Sequence, residues 1–186
     1  MKAILQRVRW AEVFVDNADR ADSADNADRD RGDRGDDGEK VGRIDAGLLV
    51  YVGVLAGDGL QDAEKLADKV AGIRVFQDDQ GKLNLCVRDV RGGILAIPNF
   101  TLAADTRKGR RPSFAEAAPP DEAQKLYEAF LVALRGAGCQ QVAAGVFQAA
   151  MMIRSEAAGP VNVIVDTRDA GRHPSPRTGQ GGQPTQ

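Results

Sequence analysis

The chain has 186 residues, 42% of them apolar, and a formal net charge of −2 at pH 7. This length allows one domain with a substantial core and is too short for two ordinary domains. Two cysteines and a single histidine exclude a disulfide framework and argue against zinc sites and histidine-dependent catalytic triads.

The two cysteines, Cys86 and Cys139, lack metal-site spacing and are interpreted as reduced thiols. The apolar run over 47–56 is too short to span a membrane, and the first nine residues lack a signal-peptide core. We therefore expect a cytoplasmic protein with no membrane segment, no metal and no cofactor.

The first predicted elements are strands over 3–8 and 12–15. Residues 17–38 then form low-complexity Ala-Asp and Asp-Arg-Gly repeats without any aliphatic side chain larger than alanine. Such a segment cannot bury enough surface to order itself, so it is predicted to be a disordered loop insertion. Asp-rich repeats also leave a calcium site as an alternative, which the interleaved arginines oppose. The acidity of this segment leaves the rest of the chain mildly basic.

Further strands follow at 47–54, 73–76, 83–87, 93–97, 143–147, 151–154 and 161–165, with a hairpin turn at 77–82. Helical periodicity predicts one helix around Ala63, Leu66, Ala67, Val70 and Ile73. A second begins at Pro119-Pro120, ends at Gly136 and Gly138, and buries Ala123, Leu126, Tyr127, Phe130 and Leu134.

Strands outnumber helices in this pattern, and the helices do not alternate regularly with them. This predicts a single α/β domain over residues 1–166, with a mixed or antiparallel, barrel-like sheet and a few covering helices. Residues 167–186, rich in Gly, Pro, Arg and Thr, are predicted to be a disordered tail that includes His173.

The strongest chemical signal is a strand-like segment, Pro98 to Leu102, that runs into a cationic loop. The cations of the loop are Arg107, Lys108, Arg110 and Arg111. They suit phosphate binding, because guanidinium groups bind phosphate bidentately. The alternative is a solvated charged loop without a ligand. Thr101 is either a packing residue or a nucleophile, and no base for it is evident.

A second feature is Gly159-Pro160, which precedes a predicted strand. It is either a simple strand-entry turn or a cis peptide that presents backbone carbonyls.

These motifs occur together, and over residues 1–15 and 40–166 the sequence resembles the D-aminoacyl-tRNA deacylase family. The resemblance rests on Gln6-Arg7-Val8, Gly81 to Leu85, Phe100-Thr101-Leu102, Asp105 to Phe114, Ala117 to Pro120, Gly145-Val146-Phe147 and Gly159-Pro160-Val161. It implies the fold of that family, a homodimer, and hydrolysis of the ester that joins a D-amino acid to the tRNA 3′ end.

The resemblance also implies a site shared by two subunits. Pro98, Asn99, Phe100 and Thr101 form one wall, and the partner's cis Gly159-Pro160 pair excludes L-side chains but admits glycine. The 2′-hydroxyl of the terminal adenosine assists the attack, and backbone N–H groups near Phe100 and Thr101 stabilise the oxyanion. Arg107, Lys108, Arg110 and Arg111 hold the tRNA.

Four positions depart from the family pattern. Pro98 and Asn99 stand where the family has Ser and Gln, while Ala157 and Asn162 stand for Asn and Thr. A related animal branch also carries Pro at the first of these positions and edits a different mischarged tRNA. Two alternatives therefore stay open: relaxed specificity that includes a small L-aminoacyl-tRNA, and a tRNA-binding paralogue without activity.

Overall fold

The computed structural model describes residues 1–16, 38–107 and 109–169. The described strands are β1 (Lys2–Asp16), β2 (Gly38–Ile44), β3 (Gly47–Gly53), β4 (Phe76–Gln77), β5 (Leu83–Leu85), β6 (Gly93–Pro98), β7 (Val142–Ala144) and β8 (Met151–Asp166). The described residues also form two helices, α1 (Leu60–Gly72) and α2 (Pro120–Gly136), and 3₁₀ turns at Phe100–Ala103 and Thr167–Asp169.

The main sheet is mixed and is organised around β1. Its order is β2-β1-β3-β6-β7, and β8 also pairs with β1. The pairs of β1 are antiparallel, whereas β3-β6 and β6-β7 are parallel. The sheet curls until β2 approaches β7: a Cβ placed on Gly42 would lie 3.3 Å from the Ala144 carbonyl oxygen. The predicted α/β domain with a barrel-like mixed sheet is therefore confirmed.

Strands β3 and β6 bury both of their faces. Successive side chains point to opposite sides of a strand, so Leu48 and Val50 face one apolar cluster while Leu49 faces the other. Leu95 and Ile97 join Leu49 inside the curled sheet. Continuous apolar runs are what a strand buried on both faces requires.

The helices cover the outer apolar face. In α1 the buried side is Ala63, Leu66, Ala67, Val70 and Ala71, and its first turn is closed by the Gly59 N–H, which donates to the Asp62 carboxylate at 3.1 Å. In α2 the buried side is Ala123, Leu126, Tyr127, Phe130, Leu131 and Leu134. Both predicted helices are confirmed, except that Ile73 follows the end of α1 in an extended conformation.

Several strand boundaries differ from the prediction. The predicted strand pairs at each end of the domain merge into single long strands, β1 and β8, and 73–76 contributes only Phe76 to β4. β2 was not predicted, because its exposed positions carry charge and it adjoins the acidic repeats.

Most of the predicted disordered insertion and tail lies outside the described residues. The exceptions are Gly38, which begins β2, and Thr167–Asp169. Arg168 donates to the Asp58 carboxylate at 3.0 Å and to the Ala56 carbonyl at 2.7 Å. The folded domain therefore extends three residues beyond the predicted boundary at 166.

Candidate active site

A cavity of about 730 Å³ opens where β3 and β6 end beside the start of α2. Its walls combine the strand ends Val52 and Pro98, the α2 residues Ala123 and Tyr127, and Phe147. Most of this lining is apolar, which is typical of a pocket that binds a small-molecule group. Tyr51 also lines the cavity, and burial raises the pKa of its phenol, so this side chain stays protonated at neutral pH.

The cavity rim is a 3₁₀ turn rather than the continued strand that the sequence suggested. β6 ends at Pro98, which has no N–H to donate and pairs with Val52 at the edge of the ladder. Asn99 then caps the turn: its Oδ1 accepts hydrogen bonds from the Thr101 N–H at 3.0 Å and from the Thr101 hydroxyl. Thr101 is exposed and is not a packing residue of a strand.

Phe100 presents the free backbone donor of this turn. Leu102 N–H donates to the Asn99 carbonyl and Ala104 N–H to the Thr101 carbonyl. The Phe100 N–H meets no acceptor among the described residues. A free N–H at the mouth of an apolar cavity is a suitable donor for a developing oxyanion.

Gly53 lets β3 approach this turn closely, and Gly145 leaves space for the Met151 side chain. A Cβ on Gly53 would lie 2.7 Å from the Leu102 Cβ and 3.1 Å from the Asn99 carbonyl oxygen. A Cβ on Gly145 would lie 2.7 Å from the Met151 Sδ. A side chain at Gly53 would collide with the turn, so this position needs glycine. At Gly145 the flexible Met151 side chain would have to move instead.

The cationic loop is closed at its base and follows the 3₁₀ turn directly. Asp105 and Ser113 exchange backbone hydrogen bonds of 2.7 and 2.9 Å. The Arg107 guanidinium donates two hydrogen bonds to the Asp105 carboxylate, both of 2.8 Å. Arg110 and Arg111 are exposed, and Lys108 lies outside the described residues.

The Arg107 pair sets the charge state of the loop. Its hydrogen bonds lower the pKa of Asp105 to about 2. A carboxylate whose pKa falls on folding contributes stability above its ordinary pKa and loses it as the pH falls towards 2. The pair therefore stays charged throughout the neutral range, and Arg107 is largely neutralised by Asp105 there.

Gly159 and Pro160 protrude from the middle of β8. The register places Gln6 opposite Asn162 and Val8 opposite Ala157, so a single residue of β1, Arg7, faces the four residues in between. The Gly159–Pro160 peptide bond is cis, and both residues are exposed. The segment is a bulge within a strand, not a strand-entry turn.

Arg7 holds the base of this bulge. Its Nε donates to the Ala158 carbonyl at 3.0 Å, and its Nη1 donates to the Val75 carbonyl at 2.6 Å. Gly159 has φ of +134°, and a Cβ there would meet the Val161 N at 2.7 Å. A side chain at this position would be strained whatever its size.

The structure thus brings Pro98, Asn99 and Phe100 together at the cavity, with Thr101 next to them. Gly159 and Pro160 do not line the cavity of their own chain. Neither Arg7 nor Gly53 was predicted to be a site residue, although Arg7 lies in a motif that carries the family resemblance. The signal for Arg7 was present in Gln6-Arg7-Val8, but a hydrogen bond to a distant carbonyl cannot be seen in a motif.

No group of three or more His, Cys, Asp or Glu side chains among the described residues has an arrangement that could hold a metal ion. No described helix is long and apolar enough to cross a membrane.

Comparison with known proteins places these features in a family. A family model described as D-Tyr-tRNA(Tyr) deacylase matches residues 4–166. A D-aminoacyl-tRNA deacylase of Geobacter metallireducens is 46% identical over 170 residues, covering 91% of this chain and 98% of the relative. The corresponding protein of Thermotoga petrophila is 42% identical over 167 residues, covering 90% and 97%.

Two solved structures share the fold. One, described as c-Myc DNA Unwinding Element Binding Protein, has a TM-score of 0.74 and 30% identity, covering 89% of this chain and 98% of that chain. Another, described as a probable eukaryotic D-amino acid tRNA deacylase, has a TM-score of 0.67 and 17% identity, covering 88% and 97%. The family resemblance expected from the motifs is confirmed, and the chain belongs to the D-aminoacyl-tRNA deacylase family.

Proposed function

We propose that this protein hydrolyses the ester bond between a D-amino acid and the 3′ end of tRNA, and also accepts glycyl-tRNA. The observation that carries this proposal is the apolar cavity whose rim presents the free Phe100 N–H. The family names of the relatives support the substrate.

The reaction needs little side-chain chemistry in this proposal. A water molecule, assisted by the 2′-hydroxyl of the terminal adenosine, adds to the ester carbonyl carbon, and the Phe100 N–H stabilises the oxyanion that forms. The bond to the 3′ oxygen then breaks, and the products are a free amino acid and tRNA with a free 3′-hydroxyl. Asn99 positions the turn through its bonds to Thr101.

Selection against L-amino acids is assigned to Gly159 and Pro160 of the partner in a homodimer. Both residues are exposed, and they do not reach the cavity of their own chain. Among the described strands β8 pairs only with β1, so its other edge is free to meet a second copy. Ile164 on β8 is 76% exposed, the largest exposure among the large apolar side chains of the described residues, and it lies on the strand that carries the bulge.

The direct test compares ester loss from D-Tyr-tRNA, L-Tyr-tRNA and Gly-tRNA with purified protein. We expect hydrolysis of the first and third and protection of the second. Equal rates on both tyrosyl substrates would refute the proposed rejection of L-amino acids. They would favour relaxed specificity, which is suggested by Pro98 and Asn162 because they depart from the family pattern. Retention of tRNA without turnover of any substrate would instead identify a non-catalytic tRNA-binding protein.

The dimer is tested separately. Ile164→Arg is expected to lower the molar mass measured by sedimentation towards that of a monomer and to abolish D/L discrimination. Val132→Arg is the matched control, since Val132 is 66% exposed on α2. A wild-type chain that sediments as a monomer yet still rejects L-Tyr-tRNA would rule out a wall supplied by the partner.

A further inference from the structure

Two exposed aromatic rings meet outside the cavity mouth. Phe100 is 64% exposed and Phe114 is 37% exposed, and their ring centroids lie 5.1 Å apart with a tilt of 55°. Phe100 lines the cavity, whereas Phe114 does not. The aromatic pair therefore extends the apolar surface from the cavity mouth outwards, beyond the space that holds the reacting group.

The surroundings of the pair are cationic. The backbone bonds between Asp105 and Ser113 close the loop immediately before Phe114, which keeps Arg110 and Arg111 on the same short loop as the ring. Asp105, the loop carboxylate, is occupied by Arg107, so it does not offset the charges of Arg110 and Arg111. Aromatic rings beside exposed cations are the combination that binds single-stranded nucleic acid, through stacking on bases and attraction of phosphates.

We propose that Phe100 and Phe114 form a stacking platform for an unpaired tRNA base that precedes the terminal adenosine. Arg110 and Arg111 attract the adjoining phosphates. This inference rests on the proposed function: the cavity takes the terminal aminoacyl-adenosine, and the strand leaving it must pass the mouth where the aromatic pair lies. Phe114 then contributes to recognition of tRNA and not to recognition of the amino acid.

The experiment compares two substrates that differ only in the nucleotides before the last one. D-Tyr-tRNA contains them, and D-tyrosyl-adenosine, esterified at the 3′ oxygen, lacks them. We expect Phe114→Leu to raise KM for D-Tyr-tRNA about tenfold, the order of one lost base stack, with kcat little changed. The change with D-tyrosyl-adenosine should stay below about twofold, and Phe114→Trp should restore the tRNA KM.

Leu83→Ala is the control, because Leu83 is an exposed apolar residue on the separate β4–β5 hairpin. Equal losses on both substrates would overturn the platform, because Phe114 would then only support Phe100. A lowered molar mass of Phe114→Leu in sedimentation would also overturn it, because a second copy would then cover the pair.

If the wild-type chain hydrolyses neither substrate, the proposed function is wrong. The stacking platform is then tested by measuring tRNA binding alone. Phe114→Leu should still weaken the binding of uncharged tRNA relative to Leu83→Ala. Unchanged binding would overturn the platform.

Discussion

At the scale of single residues, the site depends on side chains that hold backbone groups in place. Asn99 accepts hydrogen bonds from the Thr101 N–H and hydroxyl, whereas the Phe100 N–H meets no acceptor within the described part of the chain. Arg7 bonds two carbonyls from distant parts of the chain. Neither side chain needs to touch the reacting bond to affect the rate or the selectivity.

Replacing Asn99 with Ala removes the cap of the 3₁₀ turn. We expect a loss of about 1 kcal/mol in the free energy of unfolding, the usual value for a helix cap. We also expect kcat for D-Tyr-tRNA to fall about tenfold, which corresponds to about 1.4 kcal/mol in the barrier. Single-turnover kinetics and urea denaturation measure the two effects. Asn99→Asp keeps an acceptor and should keep the stability; an unchanged kcat in Asn99→Ala would contradict the positioning role.

Replacing Arg7 with Lys tests the support of the bulge. One ammonium cannot reproduce the two divergent bonds to Ala158 and Val75, since a guanidinium presents its donors as a rigid fork. We expect L-Tyr-tRNA hydrolysis to rise about tenfold relative to D-Tyr-tRNA, equivalent to about 1.4 kcal/mol. Arg9→Lys is the control, because Arg9 is exposed and bonds Glu156 on the surface. Unaltered discrimination in Arg7→Lys would show that the bulge keeps its shape without this anchor.

At the scale of secondary-structure elements, the described cations of the loop between Asp105 and Ser113 fall into two groups, one paired and one exposed. Arg107 is bound to Asp105 and lies 3.6 Å from the Glu116 carboxylate. Arg110 and Arg111 are exposed. The composition of the loop predicted four equivalent cations, but a bidentate pair within it can be seen only in the folded loop.

The two groups of cations should differ in the salt dependence of tRNA binding. Each phosphate contact adds about 0.7 to 0.9 to the slope of log K against log salt. The double variant Arg110→Ala, Arg111→Ala should therefore lower this slope by about 1.4 to 1.8. Arg107→Ala should change it far less, because the guanidinium is already paired. Fluorescence titration of tRNA at several salt concentrations measures the slope, and equal decreases in both variants would assign Arg107 to phosphate as well.

The strands show what sequence patterns capture and what they miss. Both helices and the buried strands β3 and β6 were predicted, because their apolar periodicity is strong. β1 and β8 were each predicted as two strands, because the register shifts near Gln6 and Val8 interrupt their alternation. The strand-like pattern of Pro98 to Leu102 was misleading, because the Asn99 cap converts its second half into a 3₁₀ turn.

At the scale of the whole molecule, the acidic repeats join two strands that are already adjacent. Asp16 and Gly38 are partners in the β1–β2 ladder. A two-residue turn can connect such partners, so replacing residues 17–37 with Asn-Gly should leave the fold intact. We expect the melting temperature to be equal to or higher than that of the full chain, because a shorter connection costs less entropy to close. A deletion variant that fails to fold cooperatively would contradict this prediction.

The antiparallel pairing of β1 with β8 joins the first described strand of the domain to the last. Contacts between residues so distant in sequence slow folding, because a large loop must close before they gain any energy. During synthesis β1 can pair first with β2 and β3, but its pairing with β8 and the Arg7 bond to Ala158 cannot form until almost the whole domain has left the ribosome. A truncated chain would lack the Gly159–Pro160 bulge, so under the proposed function selection against L-amino acids requires the domain to be complete.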